Sequence, residues 1–320
     1  MSEQFYNING IPAEKATSDE FWVLEWSGQF SINKRDITPE LDIELIRIGH
    51  LVAERLFGSV QKMYDGLMRR STWLAYAGLD AEIKISKTNF EKLVQDEKGE
   101  DTHRYLYYYD YQNIIGSLQN LVQESKFLLC EFYKIFNLNH YMLAPQPIDP
   151  DGLNFASGLL VTTTFSRINH LFINLASQLD FITKIIYELE HMPTDFSSYP
   201  KLKCRGILFG DHKKFRDFDI TGTVFEKNVG INLILNLRNE IVHNASIEGN
   251  SKVYQLFESG KMIEKFILIP DTTDGNFDAS RNRNRFYDND TKLNQVLPEL
   301  VCTFWEKMMV TVKKILAITS

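Results

Sequence analysis

Residues 231–245 read INLILNLRNEIVHNA, and the apolar positions in this stretch set its secondary structure. The residues that would share one face of an ideal helix here are all apolar: Ile234, Leu237, Ile241 and Ala245. An apolar stripe with a period of about 3.6 residues is typical of an α-helix that packs one face against a core. The stretch therefore predicts a buried helix over about residues 226–246.

Longer stripes of the same kind lie on both sides of this helix. They predict a helix that begins at Thr38 and keeps its apolar face to Leu67, and further helices over about residues 105–136, 159–192 and 297–318. Residues 251–270 partly alternate and turn at Ser259-Gly260, which predicts a β-hairpin. Residues 1–37 show no sustained period, and we interpret them as irregular. The expected fold class is all-α, a helical bundle with one inserted hairpin.

The clearest break in the chain is LNHYMLAPQPIDPDG, residues 138–152, where three prolines and a glycine interrupt the helical pattern. Such a stretch is typical of a linker between structural units. We therefore expect residues 1–150 to form an N-terminal helical extension, and residues 151–320 to form a helical core that contains the hairpin.

Composition narrows the class of protein. The chain has 320 residues, 44% of them hydrophobic and 24% charged, with a formal net charge of -7. Such an acidic chain argues against nonspecific wrapping of duplex nucleic acid, although it leaves room for a local basic pocket. Three widely spaced cysteines, the absence of a secretory signal and the absence of an apolar stretch of spanning length predict a cytoplasmic protein without a membrane partner.

The face of the helix opposite the apolar stripe is unusual, because it carries Asn232, Asn236, Asn239 and His243. Asparagine is a poor helix former, so such a face makes sense where it lines a site or a polar subunit interface. Asn239 and His243 are helical neighbours, and the long Arg238 side chain can reach the same place from the edge of the stripe. A guanidinium, an amide and an imidazole together can bind a phosphate and move a proton without a metal.

These residues resemble a known signature. Arg238-Asn239-x-x-x-His243 is similar to the Arg-polar-x(3–5)-His motif of the HEPN superfamily, at its shortest spacing, and the likeness is best over about residues 158–320. The chain looks closest to a group of uncharacterised bacterial HEPN-like proteins. Two departures are the long N-terminal helices and the inserted hairpin, which are not part of the minimal family core.

The resemblance implies a metal-independent endoribonuclease without a cofactor, which acts as a homodimer in a toxin, defence or stress system, with RNA as substrate and an antitoxin or other regulatory protein as a further partner. It implies that His243 is the general acid and base, that Arg238 stabilises the charge that develops on the phosphate, and that Asn239 positions His243 or the scissile group. Asn236 and the arginines of a polar segment, Arg281, Arg283 and Arg285, are candidates for substrate binding, since guanidinium groups next to Phe286 and Tyr287 suit single-stranded RNA.

Other interpretations stay open at this point. Superfamily members that bind without cutting suggest a non-catalytic dimer for RNA, a nucleotide or a protein partner. The Asn residues and His243 are also compatible with a hydrogen-bonded dimer interface. The motif match is also compatible with chance in a structural helical protein. The arginine segment is also compatible with a solvated loop between the hairpin and the last helix. Polar residues of the preceding helix are further candidates for the site, namely Asn169, Asn174 and Asp180.

Overall fold

The structure is a computed structural model, which describes residues 4–13, 23–26, 29–32, 36–70, 85–97, 99–138, 141, 151–248 and 250–318. The chain is mostly helical. The helices of the described residues are Thr38–Phe57 (α1), Val60–Leu67 (α2), Lys87–Asp96 (α3), Glu100–Leu138 (α4), Leu159–Glu190 (α5), Val229–Asn244 (α6) and Leu293–Ala317 (α7). Short 3-10 turns occupy Lys203–Gly206 and Phe209–Lys214. No helix in the part of the chain that the structure describes is long and apolar enough to cross a membrane.

Small antiparallel sheets accompany the helices, so the fold has more β structure than the one expected hairpin. The strands are Gln4–Tyr6 (β1), Pro12–Ala13 (β2), Val23–Trp26 (β3), Gln29–Ile32 (β4), Gly152–Ala156 (β5), Val253–Glu258 (β6), Lys261–Phe266 (β7), Thr272–Thr273 (β8) and Asn276–Phe277 (β9). The sheet orders are β2-β1-β3-β4, β5-β6-β7 and β8-β9. The interpretation of residues 1–37 as irregular is therefore wrong, because these short strands pair with one another.

The chain forms two compact units. One contains residues 1–39, 121–177 and 222–308, and the other contains residues 40–120, 178–221 and 309–320. Each unit takes segments from both sides of residue 150, the boundary expected from the proline-rich linker. Residues 142–150 of that linker lie outside the described residues.

The expected helical stripes form the core of these units. The side chains of the stripe in α7 are all buried, and so are those in α5 and α4. The stripe expected from Thr38 to Leu67 is split into two helices, because Gly58 has a φ of 81° and the Ser59 side chain accepts the Lys62 N–H of a new first turn.

The predicted hairpin is confirmed. Strands β6 and β7 pair around Ser259 and Gly260, which have φ values of 50° and 73°. Positive φ at both central residues is typical of the type I′ turn, whose twist matches that of the flanking strands. The third strand of this sheet, β5, comes from the chain just before α5 and pairs with β6 from Gly152 to Ala156.

Helix α7 begins four residues earlier than expected, at Leu293, and so contains Pro298 in its interior. A proline there has no N–H for the carbonyl four residues before it, which belongs to Asn294. The Tyr133 hydroxyl of α4 donates to this carbonyl oxygen at 2.5 Å. The Asn294 side chain in turn accepts the Ile267 N–H at 3.1 Å and donates to the Ile8 carbonyl oxygen at 2.8 Å. The bond from Tyr133 gives the Asn294 carbonyl oxygen a donor in place of the missing proline N–H.

The end of α4 is capped by a buried lysine. The Lys265 side chain on β7 is 1% exposed, and its Nζ donates to the carbonyl oxygens of Phe136 and Asn137 in the last turn of α4. Cations are favourable at the negative end of a helix dipole. Burial nevertheless lowers the pKa of Lys265 to about 8.

Candidate active site

Helix α6, which carries the expected motif, has a side-chain cap at its first turn and a left-handed residue directly after its last. The Asn228 side chain accepts the Ile231 N–H at 3.2 Å and so caps the first turn. In the expected apolar stripe, Ile234, Leu237 and Ile241 are buried, whereas Ala245 is exposed because the helix has ended before it. The helix ends at Ala245, which has a left-handed φ of 70°. The motif therefore lies on a helix whose position is set by packing, close to the end of that helix.

The motif residues lie on the outer side of this helix. Asn239 and His243 are exposed, and Arg238 is half-buried beside them. Arg238 Nη1 donates to Asn239 Oδ1 at 3.0 Å, so the amide holds the guanidinium. The His243 ring has no hydrogen bond or ion pair with any residue that the structure describes. A single chain thus presents the three groups on an open surface rather than in a cleft.

The first half of the asparagine face is used inside the chain. Asn232 Nδ2 donates to the Asp274 carbonyl oxygen at 3.1 Å, and Asn236 Nδ2 donates to the Gly275 carbonyl oxygen at 2.9 Å. Both carbonyls belong to the turn between β8 and β9. Asn236, a candidate for substrate binding, therefore has its amide engaged by this turn, while Asn239 and His243 are left facing outward.

The close approach of that turn to α6 depends on Gly275. Its φ is 80°, and a Cβ atom there would lie 2.3 Å from the Val229 carbonyl oxygen. Only glycine fits such a contact. The Asp274-Gly275 pair between two short extended segments was a readable turn signal, which sequence reasoning missed.

The arginine segment is attached to the motif helix through Glu240. Its carboxylate accepts the Asn284 amide at 2.8 Å and pairs with Arg285 Nη2 at 3.6 Å. It also accepts the Asn244 amide at 2.8 Å, four residues further along the helix. Glu240 lies inside the motif, between Asn239 and His243, but no local pattern in the sequence indicates its partners 44 residues away.

The three arginines of this segment are in different situations. Arg281 and Arg283 are exposed, and neither forms an ion pair within the described ranges. Both belong to a tight turn in which Ser280 and Arg283 exchange backbone hydrogen bonds. Arg285 is committed in part to Glu240. Two free guanidinium groups are therefore carried by a segment that is bonded to the motif helix.

A pocket lies beside the C-terminal end of the same helix, with a volume of about 690 Å³. We call it the Glu248 pocket. It is lined by Ser157, Gly158, Thr162, Phe165, Ser166, Asn169, His170, Ile173, Ile241, Ala245, Ser246, Glu248, Asn250 and Ser251. Ile241 and Ala245 are on the helix face turned away from His243, since two residues correspond to about 200° of rotation. The pocket and the motif therefore share one helix end but open on different faces of it.

The polar residues of α5 proposed for the site have separate positions. Asn169 lines the Glu248 pocket, and its Oδ1 atom is buried without a partner among the described residues. Asn174 is 4% exposed. Asp180 accepts the Phe209 N–H at 2.8 Å. Within the part of the chain that is described, no group of three or more His, Cys, Asp or Glu side chains has the arrangement to hold a metal ion.

No protein family, no curated protein and no solved structure matches the chain.

Proposed function

We propose that the chain is a metal-independent endoribonuclease of the HEPN type that works as a homodimer. The observation that supports this best is the outward display of Arg238, Asn239 and His243 at one end of a helix whose opposite face is buried. The same exposed surface offers a guanidinium, an amide and an imidazole. It suits a phosphate that arrives from outside the chain.

A second copy would turn this open surface into a site. Catalysis by an imidazole is helped by a wall that excludes water and a partner that orients the ring, and the described residues of one chain provide neither for His243. Most homodimers are two-fold symmetric, so the same face of each copy would meet the other. Such an interface places two Arg238 and two His243 side chains around one cleft.

The chemistry follows from these groups. One His243 takes the proton of an RNA 2′-hydroxyl as its oxygen attacks the adjacent phosphorus. The bond from phosphorus to the 5′ oxygen breaks, and the second His243 gives that oxygen a proton. Arg238 stabilises the negative charge on the five-coordinate phosphate, and Asn239 keeps the guanidinium in place through their hydrogen bond. The products are a 2′,3′-cyclic phosphate and a 5′-hydroxyl.

The arginine segment would guide the RNA strand. Arg281 and Arg283 are exposed, and the Glu240 contacts keep their segment next to the motif helix. Phosphate contacts by arginine position a strand without reading its sequence. The net charge of -7 then restricts RNA to this basic edge. A nuclease of this kind suits a toxin, defence or stress role, with an inhibitor protein as its regulator.

The second candidate is a non-catalytic dimer that binds RNA, a nucleotide or a protein partner. The observation in its favour is that Asn232 and Asn236 serve contacts inside the chain. Part of the polar face is thus structural, and the remainder is compatible with a recognition surface.

Cleavage of a defined single-stranded RNA in EDTA tests the proposal. Wild type is compared with His243→Ala and Arg238→Ala, and with His50→Ala as a control at an exposed histidine of α1. We expect cyclic phosphate ends from wild type and from the control, and a loss of rate of about 100-fold to 10,000-fold in the two motif variants, the range for general acid–base groups. Sedimentation reports the dimer in all four proteins.

The outcomes separate the candidates. A wild-type dimer that binds RNA but never cuts it favours the non-catalytic protein. Equal cleavage by wild type and His243→Ala contradicts the mechanism, because the activity then comes from another site or another protein.

A further inference from the structure

A pocket with a volume of about 510 Å³ is lined by the end of α1, by α2 with the turn that follows it, by the residue after α3 and by the start of α4. We call it the Arg70 pocket, and all of its lining residues belong to one compact unit. Its charged side chains are Lys62, Arg69, Arg70, Arg104, Glu97 and Asp101. Four cations and two carboxylates give the lining a net charge of +2, whereas the whole chain has a net charge of -7. A concave surface that is locally positive attracts anions, so this lining favours an anionic ligand.

The two carboxylates of the pocket are paired with two of its arginines. Asp101 Oδ2 lies 3.6 Å from Arg70 Nη2, and Asp101 Oδ1 lies 3.4 Å from Arg104 Nη1. Glu97 Oε2 lies 4.0 Å from Arg70 Nη1. Arg70 Nη1 also donates to Thr102 Oγ1 at 2.5 Å. These contacts hold the Arg70 guanidinium in place and leave the excess positive charge on the other two cations of the lining.

Those two cations, Lys62 and Arg69, are exposed, and neither forms an ion pair with any residue that the structure describes. Seven residues correspond to about 700° of helical rotation, so both side chains leave the same side of α2 and of the turn that follows it. Gly66 lies between them on this side, and a Cβ atom there would lie 2.1 Å from the Tyr105 hydroxyl oxygen of α4. The face of α2 that contacts α4 therefore carries one uncommitted cation before the contact and one after it.

Anions differ in how well they match two uncommitted cations beside a fixed guanidinium. A phosphate monoester has a charge of about −2 near neutral pH and three acceptor oxygens, whereas a carboxylate or a phosphate diester has a single negative charge. Arginine and lysine are the residues that bind phosphate most often in proteins. We propose that the Arg70 pocket binds a dianionic phosphate group, with Lys62 and Arg69 as the side chains that neutralise it.

The phosphate group has two possible sources with the same chemistry, a small organic molecule and the free phosphate ion. The volume of about 510 Å³ falls within the range of about 300–1,000 Å³ that is usual for small-molecule sites. Leu56 and Phe57 add apolar side chains to the lining, which an organic ligand would contact. Neither version rests on the proposed nuclease, whose motif helix α6 belongs to the other compact unit.

Titration of the full chain with methyl phosphate and with dimethyl phosphate, followed by phosphorus NMR, tests the proposal. The first is a dianionic monoester and the second a singly charged diester of similar size. We expect methyl phosphate to bind about tenfold or more tightly than dimethyl phosphate. Lys62→Ala and Arg69→Ala should each weaken methyl phosphate binding about tenfold or more, since each removes a charge-assisted hydrogen bond. Lys92→Ala, at an exposed lysine of α3 outside the pocket, should not change it.

Equal affinity for the two esters, no binding of methyl phosphate, or equal affinity of the Lys62→Ala and Lys92→Ala variants would overturn the proposal. Lys62→Arg keeps the charge and should keep the binding, and its loss there would contradict recognition by charge even if circular dichroism shows that Lys62→Ala is unfolded. Methyl phosphate binding should also persist in Arg238→Ala. Loss of binding in that variant would assign the phosphate to α6 and not to the Arg70 pocket.

A second arm identifies the source of the phosphate group. Inorganic phosphate and ribose 5-phosphate are titrated in the same way against wild type and Arg69→Ala. Tighter binding of ribose 5-phosphate assigns the pocket to an organic phosphate, and tighter binding of inorganic phosphate assigns it to the free ion. In both cases the affinity should fall in Arg69→Ala, and an unchanged affinity there would contradict the assignment of the pocket.

Discussion

Replacing Tyr133 by phenylalanine removes the one hydroxyl that compensates for a proline inside α7. Pro298 has no N–H to donate to the Asn294 carbonyl oxygen, and Tyr133 donates to it instead at 2.5 Å. Tyr133 and Asn294 are both 0% exposed, so water does not replace the hydroxyl in the folded state. Phenylalanine keeps the ring and leaves the carbonyl buried without this partner.

The cost follows from that burial. A buried acceptor that loses its partner destabilises a protein by about 1–3 kcal/mol, and we expect Tyr133→Phe to lower the free energy of unfolding by this amount. Pro298→Ala returns an N–H to the helix at the right position. In that background the carbonyl has a second donor, so Tyr133→Phe should cost about 1 kcal/mol less than in wild type.

Denaturant unfolding of the four proteins, followed by tryptophan fluorescence and by circular dichroism, measures this difference. Coincident transitions by the two probes justify the use of a single free energy. Tyr64→Phe, which removes an exposed hydroxyl on α2, is the control and should change the free energy of unfolding by less than about 0.5 kcal/mol. The reasoning fails if Tyr133→Phe costs the same with and without Pro298, because the hydroxyl would then not be replacing the missing N–H.

Two further predictions concern other contacts. Gly275→Ala should destabilise the chain by about 2 kcal/mol more than Gly260→Ala, because both have a positive φ but only at Gly275 does a Cβ atom meet a backbone oxygen, that of Val229. Equal costs in thermal unfolding would contradict this. Lys265 has a pKa lowered to about 8 from 10.5, so the unfolded chain binds more protons between these values and stability rises with pH through that window. The free energy of unfolding of wild type minus that of Lys265→Met should therefore increase by about 2 kcal/mol from pH 7 to 9.5, and a flat difference would refute a buried charged lysine.

The regular elements of the fold were predictable because their signals are local. The stripes of α4, α5 and α7 repeat over many turns, and Ser259-Gly260 is a strong turn signal between alternating residues. The four-stranded sheet of residues 4–32 was not predictable from the sequence. Its strands are two to four residues long, and such short strands gain stability only by pairing with one another. The start of α7 was placed late for a similar reason, since the Tyr133 hydroxyl is contributed from 161 residues away.

In the candidate site too, features that depend on neighbouring residues were predictable, and contacts between distant residues were not. The helical pattern indicated that the long Arg238 side chain could reach the face that carries Asn239, and in the structure the two side chains form a hydrogen bond. The helical pattern could not indicate that Asn236 would bond to the β8–β9 turn or that Glu240 would bond to the arginine segment. Those partners are about 40 residues away in the sequence.

The left-handed alanine at the end of α6 has a consequence for protein engineering. Ala245→Gly is the substitution that a stability screen would select there, since glycine relieves a backbone strain of about 1 kcal/mol at such a helix end. The same methyl group forms part of the wall of the Glu248 pocket. A more robust variant obtained in this way would also have a wider pocket, so a gain in thermostability would come with a change in the shape of that cavity.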